Sequence, residues 1–396
     1  MASPELWAPW VAIRTPQLVL PFYVRGLEVH TEEGMHQWAQ LTVRYHMPDQ
    51  FRPAAKALPP ELWWAEGSPV QVLYGARRGV SGAFTGYVVS PELCTEADPQ
   101  ELHTAGQMID IRYTMLGASA RLQSARSRTW RQCSAAYIAG EIAAEAGLLG
   151  VTSPHPRVFE TRMQSSQSDF SFLQEIATEV GWRLTVDGTT LSLTDPRQPL
   201  LSPTPYFAQN ATAGQQDTMQ RFTAVVGELD PVGQIRAQHA AMGVSGTGVL
   251  TGARDVAPRQ DPVTGQTVAA AIRRQAHHRI VESFADAQAV TAAAATRDLW
   301  WVHSTATVDG DVRLRPGCVV RLDGDAVTPQ HQGEWMTRTA HHRIWLSQVD
   351  RRLSTYYVDL ELGRDQVASL SRWAMPHVPP TQSVLVGNRW ISRGGA

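Results

Sequence analysis

The chain is poor in cysteine, in lysine and in long apolar runs, and each shortage removes a class of protein. Three cysteines, Cys94, Cys133 and Cys318, lie far apart in 396 residues with no CxxC pair, so neither a disulfide framework nor a zinc knuckle is expected. The implied folding compartment is reducing. No stretch reaches ~18 uninterrupted apolar residues, and Met1 to Trp10 carries Glu5 and two prolines where a leader would have basic and then apolar residues. Neither a membrane-spanning helix nor a secretory leader is predicted. Lys56 is the only lysine among 35 basic residues, a bias from which no function is drawn. The formal net charge is −2, so no global field favours nucleic acid or an anionic membrane as partner.

What is present is an ordinary globular composition, 43% hydrophobic and 18% charged, with enough chain for two to three domains at ~100–200 residues each. From Leu18 to Tyr45 the residues alternate, with Leu41, Val43 and Tyr45 on one side and Trp38, Gln40 and Thr42 on the other. That period of two is the texture of a half-buried sheet. After a proline-broken loop, Pro69 to Tyr74, Phe84 to Val89 and Met108 to Met115 read as further strands separated by Gly-containing turns.

The texture changes after Gly117. Ser134 is placed to cap a helix with Tyr137, Ile138 and Ile142 on one face and Gly147 as its stop. A second helix starts at Ser168, with Phe172, Leu173, Ile176 and Val180 on one face and Gly181 just beyond. Trp182, Leu184 and Val186 then alternate into an Asp187-Gly188 turn, and Leu191 and Leu193 return. Residues 118 to 195 are therefore read as a compact α/β module.

Pro196 to Thr218 is a connector, and strands resume at Arg221 to Glu228 and Gly233 to Ala240. The Gly, Thr and Pro-rich stretch 241–266 is read as an exposed loop, and Ser283 with Asp286 as the start of a helix near 284–300. A last β region spans Val302 to Leu362. In it, Leu314-Arg315-Pro316-Gly317-Cys318-Val319-Val320-Arg321-Leu322 echoes Gly67-Ser68-Pro69-Val70-Gln71-Val72-Leu73 of the first region. Two strand clusters of one kind thus flank the insert.

Candidate chemistry is weighed against plainer readings. His277-His278 and His341-His342 resemble paired metal ligands, but neighbours on a strand point to opposite faces and cannot grip one ion. Gly243 to Gly248 lacks the lysine and the following helix of a phosphate loop, and Gly79-Val80-Ser81-Gly82 misses the nucleophile-elbow spacing by one position. Glu175 and Glu179, four apart on the second helix, are read as its solvated face. Thirteen tryptophans, including Trp63-Trp64 and Trp300-Trp301, are divided between core and subunit interfaces.

Gln164-Ser165-Ser166-Gln167-Ser168-Asp169-Phe170-Ser171-Phe172-Leu173, the following helix, Gly181 and hairpin, and the late phrase Leu314 to Gly317 with Gly333-Glu334-Trp335 to His341 resemble the phage late control protein D family. That family includes contractile-tail baseplate hubs and the N-terminal hub part of the type VI secretion spike protein. The likeness covers roughly Leu18 to Leu362. It implies a β-rich α+β fold in which two similar small β-barrel domains flank an α/β insert, with an extended C-terminal tail. The expected division is 1–117 for the first, tube-facing barrel, 118–200 for the insert, 201–365 for the second barrel and 366–396 for the tail.

The resemblance implies a structural hub rather than an enzyme: a homotrimer whose six barrels form a pseudo-sixfold ring, adapting a hexameric tail tube to a trimeric spike. Other baseplate proteins are expected partners, and specific nucleic acid and membrane insertion are not. No catalytic, cofactor-binding or metal residues and no cofactors are expected. Since only Gly363 to Ala396 follows the last β region, the spike is expected on a separate chain, and the tail as an arm adding a strand to a neighbour. The expected location is a virion tail baseplate or phage-like injection particle, folded in the bacterial host cytoplasm. A tail-tip protein that binds or hydrolyses peptidoglycan is the alternative.

Overall fold

The computed structural model describes residues 8–14, 22–46, 64–77, 80–94, 108–154, 157–196, 205–208, 218–226, 234–239, 249–252, 259–260, 267–268, 273–281, 302–324, 327–328, 331–347, 353–364, 383–386 and 389–392. The first region is six strands: β1 (Trp10–Arg14), β2 (Phe22–Glu32), β3 (Trp38–His46), β4 (Pro69–Arg77), β5 (Val80–Cys94) and β6 (Met108–Gly117). They pair antiparallel in the order β1-β4-β5-β6-β3-β2. The period of two is real: Leu41, Val43 and Tyr45 are buried with Val72, Phe84, Tyr113 and Met115, while Gln40 and Thr42 lie on the other face. Tyr45 and Tyr113 share a hydroxyl hydrogen bond of 3.0 Å, so neither buried polar end is left unsatisfied.

The insert opens with a 3-10 turn, Ala118–Leu122. It continues through β7 (Ala125–Ser134), α1 (Ala135–Glu145), β8 (Leu149–Thr152), β9 (Val158–Ser168), α2 (Asp169–Val180), β10 (Arg183–Asp187) and β11 (Thr190–Thr194). Both helix starts follow the expected chemistry: the Ser134 hydroxyl accepts from Tyr137 N and that of Ser168 from Ser171 N. Gly181 ends α2 in the left-handed region at φ 71°. Phe172, Leu173, Ile176 and Val180 enter a core with Ile138, Ile142, Leu184, Val186, Leu191 and Leu193, separate from that of the sheet. Tyr137 departs from expectation. It is 53% exposed, and Ala139 and Ala143 complete the buried face in its place.

The polar phrase ahead of α2 has a structural reason. Asp169 is buried at the helix start, ion-paired with Arg128 of β7, and accepts 2.8 Å from Gln164 Nε2. Gln164 Oε1 in turn accepts from Arg128 Nε at 2.9 Å. A carboxylate at a helix N-terminus is favoured by the dipole, and these partners let it be buried. The arms β7 and β9 that supply them were not anticipated.

The rest of the chain contributes β12 (Tyr206–Ala208), β13 (Met219–Val226), β14 (Gln234–His239), β15 (Val249–Gly252), β16 (Arg259–Gln260), β17 (Thr267–Val268), β18 (Arg273–Val281), β19 (Val302–Asp309), β20 (Val319–Asp323), β21 (Gly333–Trp345), β22 (Thr355–Arg364), β23 (Ser383–Val386) and β24 (Arg389–Ser392). In the stretch read as a loop, 241–266, the described residues are the short strands β15 and β16; the expected helix near 284–300 lies outside the described residues. Within the expected tail, β23 and β24 pair as a hairpin.

Two five-stranded units emerge. In chain order β2, β3, β4, β5, β6 pair as 4-5-6-3-2, and β13, β19, β20, β21, β22 pair as 20-21-22-19-13, the same arrangement. Two irregularities recur as well. Registers shift between Val24 and Gly26 in β2 and between Met219 and Arg221 in β13, and again between Val88 and Ser90 in β5 and between Thr337 and Thr339 in β21. The repeated Gly phrase makes the same pair of hydrogen bonds. Gly67 N donates to Val88 O (2.8 Å) and Val88 N to Ser68 O (3.0 Å); Gly317 N donates to Thr337 O (2.8 Å) and Thr337 N to Cys318 O (2.8 Å). Both glycines have positive φ, 80° and 88°, so Leu314 to Cys318 is a turn and β20 starts only at Val319.

The units are not separated by their own cores. β2 pairs antiparallel with β21, making one twelve-stranded sheet, and Leu27, Val43, Val72 and Tyr113 share a buried cluster with Val320, Trp335, Ile344 and Val358.

Candidate assembly site

The β2–β21 seam is the junction between the two units. β2 lays Leu27 opposite Ile344 and Val29 opposite His342 on the buried face, so Glu28, His30, His341 and Arg343 fall on the outer one. His341 Nε2 bonds Glu28 Oε2 at 3.1 Å. That hydrogen bond holds the Glu28 carboxyl below the usual carboxylate range. The His30 ring stacks on Trp38 at 5.1 Å and meets the edge of His341 at 5.5 Å. The Arg25 guanidinium lies over Trp345 at 4.9 Å, a cation–π contact. Gly26 lets the indole approach, because a Cβ there would come within 3.3 Å of Trp345 Cε3. A groove of about 320 Å³ follows the seam, lined by Glu28, Gln40, Arg112, Arg343, Trp345 and Tyr357.

His341 and His342 thus point to opposite faces, as expected of strand neighbours. His342 is buried; its Nε2 donates to Leu314 O at 2.9 Å, so its Nδ1 accepts from the Tyr356 hydroxyl at 2.9 Å. Burial pushes its pKa down to about 4. With both ring nitrogens engaged it locks the turn before β20 to β22 and has no lone pair free for a metal or a proton transfer. Among the described residues no three His, Cys, Asp or Glu are grouped to hold a metal ion, and no helix is long and apolar enough to cross a membrane. The side chains of His277 and His278 and the stretch from Gly243 to Gly248 lie outside the described residues.

The insert is clamped to the seam by the turn between β2 and β3. Gly34 N donates to Leu184 O at 2.8 Å, and Gln174 Nε2 donates to Gly34 O. Gln37 donates to Asp187 (3.3 Å) and accepts from Gly188 N (3.2 Å), so the predicted Asp187-Gly188 turn is a docking point. His36 stacks on Phe170 with ring centroids 3.8 Å apart. Beneath them Arg183, buried, lies 3.6 Å from Glu33, which Arg338 also approaches at 3.6 Å. Burial pushes the Glu33 carboxyl up despite both guanidiniums, and pushes Arg183 down.

Arg183 falls between Trp182 and Leu184 on the opposite side of its strand, and it is buried there against Glu33 and Met336. The expected solvated pair on α2 is also corrected in part. Glu175 is half-exposed beside Arg162 at 3.1 Å, but Glu179 is largely buried between Arg157 (3.0 Å) and Arg162 (3.3 Å).

The family model of the phage tail baseplate hub (GPD) matches residues 32–348. No curated protein sequence matches the chain. Among solved structures, the crystal structure of the 43 kDa tail protein of prophage MuSo2 from Shewanella oneidensis is similar at 12% identity and TM-score 0.60, covering 90% of this chain and 98% of that one. The tail protein from Neisseria meningitidis MC58 gives 13% and 0.60, covering 91% and 97%. The E. coli c3393 protein, described as a component of the type VI secretion system with structural similarity to the T4 bacteriophage tail proteins gp27 and gp5, gives 10% and 0.53, covering 89% and 76%.

Proposed function

From the premise that the chain belongs to the phage tail baseplate hub family, we propose that it is a trimeric adaptor. Three copies supply six like β units, a pseudo-sixfold face for a hexameric tail tube, while the true threefold axis matches a trimeric spike. The observation that supports this is the duplicated five-stranded unit with its recurring bulges and Gly turn. Duplicating one unit within a chain reconciles unequal symmetries with a single closed set of interfaces. The protein then works by shape, with no catalytic residues, in a tail baseplate of a phage or phage-like particle alongside other baseplate proteins.

Native mass spectrometry or light scattering is expected to give three times the chain mass of 43.6 kDa. A copy number not divisible by three overturns the reading. Purified chain is expected to leave a cell-wall suspension turbid, and clearing would favour a peptidoglycan hydrolase instead.

A further inference from the structure

Comparing the two units shows which strand edges are without a partner among the described residues. In the second unit, the part of β21 beyond its bulge, Thr339 to Trp345, is covered on one side by β22 and on the other by β2 of the first unit. The equivalent part of β5, Ser90 to Cys94, is covered on one side by β6. Among the described residues its other edge pairs with no strand. Likewise β2 pairs with both β3 and β21, whereas its equivalent β13 pairs among the described residues with β19 alone. Among the described residues each unit thus lacks what the other shows, one a strand against β5 and the other a strand against β13.

We infer that β13 of one copy pairs antiparallel with the Ser90–Cys94 edge of β5 in a second copy, repeating between chains the seam that β2 and β21 make within one. The occupant is another copy of this chain because it carries both halves of the contact. The contact is head-to-tail, which generates rings when its rotation closes.

The register follows from the equivalences. Pairing through the shared bulges sets Ser90 and Pro91 against Thr339 and Ala340, and Glu92 against His341; on the other side Arg221 matches Gly26 and Val225 matches His30. Since His30 faces His341, Val225 faces Glu92, Val226 faces Pro91 and Ala224 faces Leu93. Within the chain, Glu33 N donates to Arg338 O and Leu346 N to Arg25 O. The odd-numbered residues of β2 therefore make the hydrogen-bonded pairs, and His30–His341 is a close, non-hydrogen-bonded one. Glu92 and Val225 inherit that position. Glu92 and Ser90 are exposed. Pro91 falls at the end of the ladder, where it still accepts through its carbonyl but gives up one donor, the place a strand tolerates proline.

This inference rests on the trimer reading, and the test separates the two. In a Cys94→Ser background of the full chain, E92C/V225C is oxidised and its mass followed alongside. Closely opposed non-hydrogen-bonded positions fall within disulfide reach. The expected result is a non-reducing gel ladder ending at three chains and collapsing on reduction, with at least ~10-fold less product from the off-register pair E92C/T223C. A threefold mass without that cross-link overturns the strand pairing and leaves the trimer standing. A monomeric mass overturns both. As a second readout, Ala224→Pro removes an outward-facing donor while sparing the bonds of β13 to β19; it is expected to shift the trimer toward monomer with the circular dichroism spectrum kept, and an undiminished trimer counts against the pairing.

Discussion

In the first unit the pair β2–β3 is joined by the short turn Glu33–Gln37, whereas in the second the equivalent pair β13–β19 is joined through the whole stretch 227–301. The strand frame survives this difference with its bulges in place. Loop-closure entropy grows only slowly with length, so a connection can expand while the paired edges, where every backbone donor needs a partner, cannot. The short turn has its own duty, since it carries Gly34, His36 and Gln37 into the insert. The repeated glycines differ in the same way. A Cβ on Gly67 would meet nothing within 4 Å, but one on Gly317 would strike the Arg183 guanidinium at 2.5 Å. One unit is open at its turn and the other is roofed by the insert.

Four measurements can break or sharpen that contrast. The largest effect is expected at the roof itself. Arg183→Ala leaves the largely buried Glu33 carboxylate with Arg338 as its remaining ion-pair partner among the described residues, at a cost of about 4 kcal/mol in chemical denaturation. Arg183→Met with Glu33→Leu is expected to recover most of that loss. An Arg183→Ala change that costs no more than a surface substitution would mean the clamp is not closed.

Next comes pH. The position equivalent to His342 in the first unit is Leu93, so acid sensitivity should belong to the second. Because the folded pKa of His342 lies near 4, below the unfolded value, the unfolded chain binds an extra proton between about pH 6.5 and 4. Stability is therefore full above that window and falls as pH drops through it, by about 3 kcal/mol. His342→Leu is expected to flatten this slope, whatever it costs at neutral pH, and an unchanged slope would reassign the titration.

Third, Gly317→Ala is expected to cost about 2 kcal/mol more than Gly67→Ala, which suffers only from its positive φ. Equal costs would show that Arg183 swings away freely. Smallest of all, Glu28→Gln on the solvent face of the seam is expected to lower stability by about 0.5 kcal/mol, less at high salt.

Much of the frame was legible from local pattern. The alternation of Leu41, Val43 and Tyr45, the caps Ser134 and Ser168, the stop at Gly181 and the Asp187-Gly188 turn all express forces acting within a few residues. The echo between the Gly67 and Gly317 phrases was visible because the same turn demands the same glycine. Tyr137 and Glu179 were misplaced for a common reason. Helical spacing gives the direction of a side chain but not what lies opposite it, and there solvent stood where packing was expected for Tyr137 and arginines stood where solvent was expected for Glu179. The arms β7 and β9 and the buried Asp169–Arg128–Gln164 group were missed because their mostly exposed, polar strands lack an apolar period.

By itself the amino-acid order determined which residues seek burial, where helices begin and end, and that one strand phrase occurs twice. Only the tertiary structure decided that the two units share a seam, that Arg183 lies beneath it, and which strands pair across the twelve-stranded sheet. The reason is physical: side-chain periodicity is written locally, but the backbone groups along a strand edge are alike at every residue except proline, so their partner is chosen by what the folded chain brings alongside.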